Sequence, residues 1–328
     1  MGRAWRRADA WGVVVALLLL VAPAAAQSLG ERVYRLAVLS PVRVDRSVLI
    51  PELARLGFAE GRNLVVDERI GDAGAMPGLV QDAVAARPDA IIVIGQAALF
   101  AAQASTAEIP IVTFGNDPFR MGAAASLARP GGNVTGVVFG LTWELDGKRL
   151  ELLHQILPGA RRIGALMRRS SDGRPELEQE REAALRAAAA RIAVELQIFT
   201  VDGSGDYERT FASMRAAGIE ALALAANIDF VRDAAVLAEH AIAARLPMAC
   251  ESPAMASQGC LLGYGPSLNA IRRRVAALVA RIFRGATPSE LPIETPAIFE
   301  LAVNLRTAQA LGLAIPQGLL VRTDEVIE

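Results

Sequence analysis

The amino-acid sequence predicts an α/β protein with two doubly wound, Rossmann-like lobes. Short runs of Val, Ile, Leu and Ala alternate with segments of helical length, and this alternation occurs twice along the 328 residues. Continuous apolar runs separated by helices are typical of parallel strands whose sheet is covered on both faces. A chain of this length is also long enough for two domains.

The first half of the chain contains five predicted strands, with helical patterns at Leu79–Ala86 and Ala97–Ser105 between them. The strands are Tyr34–Leu39, Leu64–Val66, Ala90–Ile94, Ile109–Phe114 and Val134–Phe139. Their order predicts the βαβ units of a parallel sheet.

The second half restarts with a predicted helix at Glu144–Ile156 and continues with a second set of about five strands. The strand candidates are Ile163–Met167, Glu195–Val201, Ala221–Ala226, Pro247–Cys250, Cys260–Tyr264 and Phe299–Asn304. The helices between and after them are Pro175–Ile192, Tyr207–Ala217, Val231–Ala244 and Ala270–Phe283. This set predicts the second lobe.

The composition excludes several functional classes. The chain has 53% hydrophobic residues, which argues against disorder, and 34 Lys and Arg against 35 Asp and Glu, which argues against a nucleic-acid partner. Only two histidines and two cysteines are present, so few residues are available to form a metal site or a Ser-His-Asp triad. The sequence also lacks a Gly-x-Ser-x-Gly elbow. We therefore predict a protein that is not an enzyme and needs no cofactor.

Residues 1–26 have the pattern of a secretory signal peptide. Arg3, Arg6 and Arg7 precede an apolar run at Trp11–Val21, and Ala24–Ala26 supplies small residues for cleavage before Gln27. The apolar run is shorter than the roughly 20 residues of a membrane span. We expect cleavage after Ala26 and a periplasmic protein, with the choice between Sec and twin-arginine export left open.

Ligands of doubly wound sheets bind beyond the carboxyl ends of the strands. This rule selects polar or glycine-containing breaks that directly follow apolar strands. In the first lobe the candidates are Ser40, Gly95, Gln96, Ala97, Asn116 and Asp117. In the second lobe they are Arg169, Ser170, Asn227, Asp229 and Glu251.

Each candidate has two interpretations: it binds ligand, or it only stabilises a nearby turn or helix end. The helix start at Gly95–Ala97 presents backbone N–H groups to a carboxylate, or is an ordinary turn, and Gln96 adds an amide. Asp117 holds an ammonium group, or satisfies its own turn beside Asn116. Ser40 binds ligand or caps the following helix.

The second-lobe candidates have the same two interpretations. Asn227 and Asp229 either receive a polar group of the ligand or cap the helix predicted at Val231–Ala244, and Glu251 stands similarly at a strand end. Cys250 and Cys260 flank one connection and form either a disulfide, favoured by export, or two separate buried thiols.

Several motifs resemble a known family. They are Leu56-Gly57-Phe58, Glu60-Gly61-Arg62-Asn63, Asn116-Asp117-Pro118, the block 126–137 (SLARPGGNVTGV), Lys148–Leu153 and Leu262–Gly265, with 299–305, 308–313 and 324–328 near the end. Together they cover most of the chain beyond the leader. The sequence resembles exported ABC-transporter substrate-binding proteins, a family that includes tryptophan- and tyrosine-type binders.

The resemblance implies a type I periplasmic-binding fold, whose two lobes trap ligand in the cleft between them. Crossovers are expected near Gly140, Tyr264 and Ile293, with Tyr264 lining the cleft or packing the hinge. Lobe one would comprise 31–140 plus 265–292, and lobe two 141–264 plus 293–328.

The resemblance further implies a monomer that delivers a small molecule, an amino acid or similar small carboxylate, to an ABC permease in the inner membrane. A sensory protein that presents its ligand to a membrane receptor is the alternative.

The sequence departs from the family pattern in two places. Arg168–Asp172 replaces the usual Asn-Pro loop after the first strand of lobe two, and no ligand-facing aromatic residue stands near Cys250. An arginine in the cleft would bind an acidic ligand through two hydrogen bonds, or would simply be solvated. These departures weigh against an aromatic amino acid as ligand.

Overall fold

The computed structural model describes residues 32–139, 142–169 and 175–328. Val33–Glu328 forms one compact unit that contains two β-sheets with helices on their faces. The predicted α/β class is therefore confirmed. The predicted leader 1–26, the crossover at Gly140 and the candidate Ser170 lie outside the described residues.

The first sheet has five parallel strands in the order β2-β1-β3-β4-β5. The strands are β1 (Tyr34–Ser40), β2 (Leu64–Ile70), β3 (Ala90–Ile94), β4 (Ile111–Gly115) and β5 (Val134–Val138), connected by α1 (Arg46–Arg55), α2 (Met76–Ala85) and α3 (Gln96–Ser105). All five strands coincide with predicted ones.

Helices cover both faces of this sheet, which explains its continuous apolar strands. Ile91 and Ile92 of β3 are both buried and point to opposite faces. One face packs against α1 and the late helix α10 (Leu268–Phe283), and the other packs against α2 and α3.

The second sheet has seven strands among the described residues, in the order β12-β11-β10-β9-β8-β6-β7. The strands are β6 (Arg162–Arg168), β7 (Glu195–Val201), β8 (Ala221–Leu224), β9 (Met248–Cys250), β10 (Leu262–Pro266), β11 (Phe299–Asn304) and β12 (Glu325–Ile327). The remaining helices are α4 (Thr142–Ile156), α5 (Pro175–Arg191), α6 (Tyr207–Ala216), α7 (Ile228–Arg232), α8 (Ala234–Ala243), α9 (Pro253–Ser257), α11 (Leu305–Leu311) and α12 (Gln317–Leu320).

The second half of the chain differs from its prediction in the number of strands, in the direction of one strand and in one helix. It is larger than the predicted set of about five strands, and β10 and β11 are antiparallel. The strand β12 has only three residues and two of them are exposed, so no apolar run marks it. The single helix expected at Val231–Ala244 is two helices, because Asn227 caps α7 and a second helix begins after Asp233.

The chain passes between the two sheets near its C-terminal end. It leaves the second sheet after Pro266, contributes α10 to the core of the first sheet, and returns at Phe299. On the way back Glu294 pairs with β5, accepting a hydrogen bond from Val138 N–H and donating one to Gly136. These connections place the carboxyl ends of both sheets around one space.

Candidate functional site

A cavity of about 1060 Å³ lies at the carboxyl ends of the strands of both sheets. This volume is at the upper end of what small-molecule sites show, roughly 300–1,000 Å³. Both sheets share one winding pattern, and the cavity is lined by the loops that follow β1 and β3 and those that follow β6 and β8. These pairs of strands are the switch points where doubly wound sheets bind ligands.

The first wall of the cavity consists of the lining residues from the first sheet's loops. Gly95, Gln96, Ala97, Asn116 and Asp117 all belong to it, as predicted from their positions at strand ends. Gly95 has φ +86° and ψ 153°, a backbone conformation that is almost restricted to glycine. This turn brings the start of α3 to the cavity, with the backbone N–H groups of its first turn unpaired within the helix.

Asp117 stabilises its own turn, which is the alternative to ligand binding that the sequence left open. Its Oδ1 accepts hydrogen bonds from the N–H groups of Phe119 at 3.0 Å and Arg120 at 3.2 Å. Its Oδ2 lies 3.8 Å from Arg120 Nε. Asn116 differs, because its Nδ2 is buried and has no hydrogen-bond partner among the described residues.

Ser40 and Tyr264 lie away from the cavity. Ser40 is completely buried, and its Oγ accepts a hydrogen bond from Val42 N–H, while the helix cap that the sequence suggested for it is supplied by Asp45. The Tyr264 ring stacks on Phe299 with ring centroids 6.2 Å apart. Ser40 thus has neither a position at the cavity nor the helix-capping role, whereas Tyr264 has the packing role.

The second wall consists of the lining residues from the second sheet's loops and helices α4 and α5. Asn227 caps α7 by accepting a hydrogen bond from Asp229 N–H. Asp229 does not cap a helix at 231 but pairs with Arg168 at 3.2 Å and with Arg232 at 2.9 Å. Arg169 pairs with Asp202 at 2.8 Å and is mostly exposed. The cavity is lined by Asn227, Asp229, Arg168 and Arg169, and their partners Arg232 and Asp202 lie outside its lining.

A buried ion-pair network stands behind this wall, and sequence reasoning missed it. Asp146 accepts hydrogen bonds from Arg149 Nη1 and Arg181 Nε, both at 2.6 Å, and from Ala226 N–H at 3.0 Å. Arg149 also donates to the carbonyls of Tyr264 at 2.7 Å and Glu251 at 3.2 Å. The side chains of Asp146 and Arg149 are only 1% and 2% exposed.

The available signal for the network was the spacing of Asp146 and Arg149. Residues three apart on a helix are neighbours, and both lie on α4, with Arg149 inside the Lys148–Leu153 motif. The third member, Arg181, comes from α5, and nothing in the sequence indicated that α4 and α5 pack against each other.

Burial shifts the protonation equilibria of this region. Burial raises the pKa of the Glu251 carboxyl, against the opposing influence of the Arg149 and Arg181 charges. Burial also lowers the pKa of Arg149, which Asp146 partly offsets. A guanidinium remains charged at physiological pH all the same.

Four buried polar atoms of cavity-lining residues have no hydrogen-bond partner among the described residues. They are Asn116 Nδ2, Trp143 Nε1, Arg181 Nη2 and Ser252 Oγ. Buried polar groups are nearly always paired, with protein, water or ligand, since leaving one unpaired costs roughly 1–3 kcal/mol. All four residues line one cavity, and this indicates where a polar ligand would bind.

The two walls touch each other. Arg120 of the first wall pairs with Glu180 of α5 at 2.9 Å, and its guanidinium carbon lies 5.9 Å from the centre of the Trp143 ring. Ile228 of α7 packs against the apolar core of the first sheet. Among the described residues, an ion pair, the contact of Arg120 with the Trp143 ring and an apolar contact bridge the cavity.

Cys250 and Cys260 form a disulfide, with Cα atoms 6.3 Å apart. It joins the end of β9 to a cysteine two residues before β10 and closes the segment that carries Glu251 and Ser252. Of the two alternatives for these cysteines, the structure has the bridge.

In the parts of the chain that the structure describes, no helix has both the length and the apolar character needed to cross a membrane. Within those same parts, no three His, Cys, Asp or Glu side chains are grouped so that they could hold a metal ion.

Comparison with known proteins bears directly on this cavity. The sequence model of the family described as "ABC transporter substrate binding protein" matches residues 45–327. A relative named tyrosine-binding protein, from Clostridioides difficile strain R20291, is 23% identical over 267 residues, which are 80% of this chain and 75% of the relative.

Two solved structures share the fold. A conserved domain protein from Vibrio cholerae has a TM-score of 0.80 at 23% identity, over 90% of this chain and 100% of the other. An ABC domain from Streptococcus pneumoniae in complex with L-Trp has a TM-score of 0.76 at 20% identity, over 89% and 100%. Because the family match spans most of the sequence, this chain belongs to the ABC transporter substrate-binding protein family.

Proposed function

We propose that this substrate-binding protein traps an amino acid or a similar small carboxylate in the cavity between its two sheets. The observation that carries the proposal is the set of unpaired polar atoms at the cavity, contributed by both walls. Asn116 belongs to the first wall, and Trp143, Arg181 and Ser252 belong to the second. A ligand that pairs with atoms of both walls binds best when the walls are close together.

The chemistry of these atoms favours a ligand that accepts hydrogen bonds. The Asn116, Trp143 and Arg181 atoms are donors only, and Ser252 Oγ is both donor and acceptor. Asp117 and Glu251 line the same cavity and provide carboxyl oxygens for an ammonium group. A cavity that offers both hydrogen-bond donors and carboxyl groups suits an α-amino acid, which fits the names of the C. difficile and S. pneumoniae proteins.

Ligand capture would use hinge closure, since a ligand stabilises the conformation that it binds more tightly. In this proposal the moving bodies are lobe one, 31–140 plus 265–292, and lobe two, 141–264 plus 293–328. The packing of α10 in the first core supports that division. The closed, loaded form would be the one that an ABC permease in the inner membrane accepts from a monomeric periplasmic protein released by cleavage after Ala26.

A thermal-shift screen of residues 27–328 tests the proposal. The panel contains the amino acids, aromatic acids, nucleobases and sugars. A ligand that binds only the folded state stabilises it by about 2.7 kcal/mol at a hundredfold excess over Kd. We expect a selective shift with one or a few amino acids or related carboxylates. A shift confined to sugars or nucleobases, or none in the panel, would contradict the proposed ligand class.

Asp117→Asn then tests the ammonium contact. Asparagine keeps the oxygen that accepts the two turn hydrogen bonds but removes the charge, so the loop is preserved. We expect weaker binding of the amino acid found in the screen, measured by calorimetry. Asp67→Asn, at an exposed carboxylate of β2 away from the cavity, is the matched control and should bind normally.

A further inference from the structure

Among the donors at the cavity, Arg181 and Trp143 form a distinct pair. The guanidinium carbon of Arg181 lies 4.8 Å from the centre of the Trp143 ring. Arg120 lies on the same ring at 5.9 Å. The indole is thus held by contacts with two guanidinium groups, and the N–H at its edge is buried without a partner among the described residues. Because the ring is already held in place, its N–H donates to a ligand with little loss of side-chain entropy on binding.

Arg181 shares its Asp146 partner with a second arginine. Asp146 is shared between two guanidinium groups, at 2.6 Å from each. Arg149 uses Nε, Nη1 and Nη2 for Tyr264, Asp146 and Glu251. Arg181 has its Nε on Asp146, and its Nη2 is left without a partner among the described residues. Asp146 therefore accepts hydrogen bonds from two guanidinium groups that both line the cavity, and the donor left without a partner among the described residues belongs to Arg181.

Arg181 is also held in position. Its side chain is 13% exposed, its Nε is held by Asp146, and its guanidinium group lies over the Trp143 ring. Guanidinium groups bind carboxylates strongly because hydrogen bonds between ions are about twice as strong as neutral ones. A fixed guanidinium loses less entropy on binding than a mobile one does.

We propose that the anionic group of the ligand is a carboxylate bound by Arg181 Nη2 and Trp143 Nε1 in the second wall. This assignment rests on the proposed function and names its anion subsite. It differs from the expectation drawn from the sequence, in which the backbone N–H groups at Gly95–Ala97 hold the carboxylate. Asn116 Nδ2, from the opposite wall, would contact the same ligand in the closed form.

The subsite can be tested before the physiological ligand is known. In residues 27–328 Trp143 is the single tryptophan, so fluorescence excited at 295 nm reports on this position. The probes are benzoate and benzamide, which have the same ring and differ in charge, titrated at constant ionic strength. We expect a saturable change with benzoate that benzamide does not reproduce.

Arg181→Gln should weaken benzoate binding about tenfold or more, the effect of losing a hydrogen bond to a charged group. Arg186→Gln is the matched control on the same helix, because Arg186 is exposed and pairs with Glu182. Equal responses to both probes, an unchanged Kd in Arg181→Gln, or no saturable response to benzoate would overturn the subsite.

Trp143→Phe provides a second variant in case Arg181→Gln does not fold. It keeps an aromatic ring for the guanidinium groups and removes the N–H, so we expect weaker benzoate binding by calorimetry and an unchanged fold. Unchanged binding in this variant would remove the indole from the subsite.

The screen described above and the benzoate titration fail separately. Amino-acid binding that is indifferent to Arg181→Gln would overturn the subsite and leave the proposed function standing. A benzoate response that depends on Arg181, without a shift by any amino acid in the screen, would keep the subsite and remove amino acids from the proposed ligand class.

Discussion

The two walls of the cavity differ in how they are built. The first wall presents the ends of strands with small or uncharged groups, such as Gly95, Ala97 and Asn116. The second wall presents arginines whose positions are fixed by ion pairs with Asp146 and Asp229. The first wall thus provides space and backbone groups, and the second provides charge in fixed positions. The difference supports the proposal that the anionic group of the ligand binds to the second wall.

The largest difference between the walls is expected on substitution of Arg149 in the second wall. Arg149→Ala removes a buried cation and leaves Asp146 with one guanidinium partner and two carbonyls without their donor. We expect a loss of about 3–5 kcal/mol in the free energy of unfolding, measured in urea. Arg186→Ala, which breaks an exposed pair on α5, should cost at most about 1 kcal/mol. Similar losses in both variants would contradict the importance of the buried network.

The disulfide is the next largest contribution to the second wall. Replacing Cys250 and Cys260 by serine should lower the free energy of unfolding by about 2–3 kcal/mol, because the bridge restricts a short loop in the unfolded chain. The variant should also bind ligand more weakly, since Glu251 and Ser252 lie in that loop. Two free thiols in the unfolded, unreduced wild-type protein would show that the bridge is absent.

The first wall depends on backbone conformation instead. Gly95→Ala places a side chain at φ +86°, where the strain costs roughly 1–3 kcal/mol, and puts a methyl group within 3.5–3.6 Å of Pro41 and Ile228. We expect lower stability and weaker binding. Gly132→Ala is the control in the same half of the molecule, because its backbone is unstrained and its added methyl meets nothing within 4 Å. Its melting temperature should stay close to that of the wild type.

The smallest effect concerns Glu251 and depends on pH. Burial raises the pKa of this carboxyl, so the folded protein binds its proton more tightly than the unfolded chain does. Its contribution to stability is present below the ordinary pKa of glutamate and is lost as pH rises through the raised pKa. Glu251→Gln removes that dependence. The melting temperature of the variant relative to wild type should therefore be higher at pH 7 than at pH 4, and a difference that does not change with pH would contradict the shift.

The sequence was sufficient to predict the strands and the edge at which they end. Continuous apolar runs marked β1 to β11, and the rule for strand ends selected Gly95, Asn116 and Asn227, which line the cavity. The same rule failed for Ser40 because successive side chains of a strand point to opposite faces, and Ser40 points into the core.

The buried network could not be predicted for a different reason. Arg149 lies three residues from Asp146, but its other partners, the carbonyls of Tyr264 and Glu251, are more than a hundred residues away. Only tertiary packing decides which arginines are paired and which atoms remain available. For that reason the sequence proposed Arg169, which is exposed and paired, and passed over Arg181.

The measurement that tests the central claim most directly is hydrogen–deuterium exchange of residues 27–328 with and without each amino acid of the panel. The account predicts that one or more of them slows exchange in both walls together, in peptides that cover 95–121 in the first and 143–149 with 176–185 in the second. Protection of one wall alone, or none with any amino acid at saturating concentration, would contradict the claim that the ligand joins the two walls.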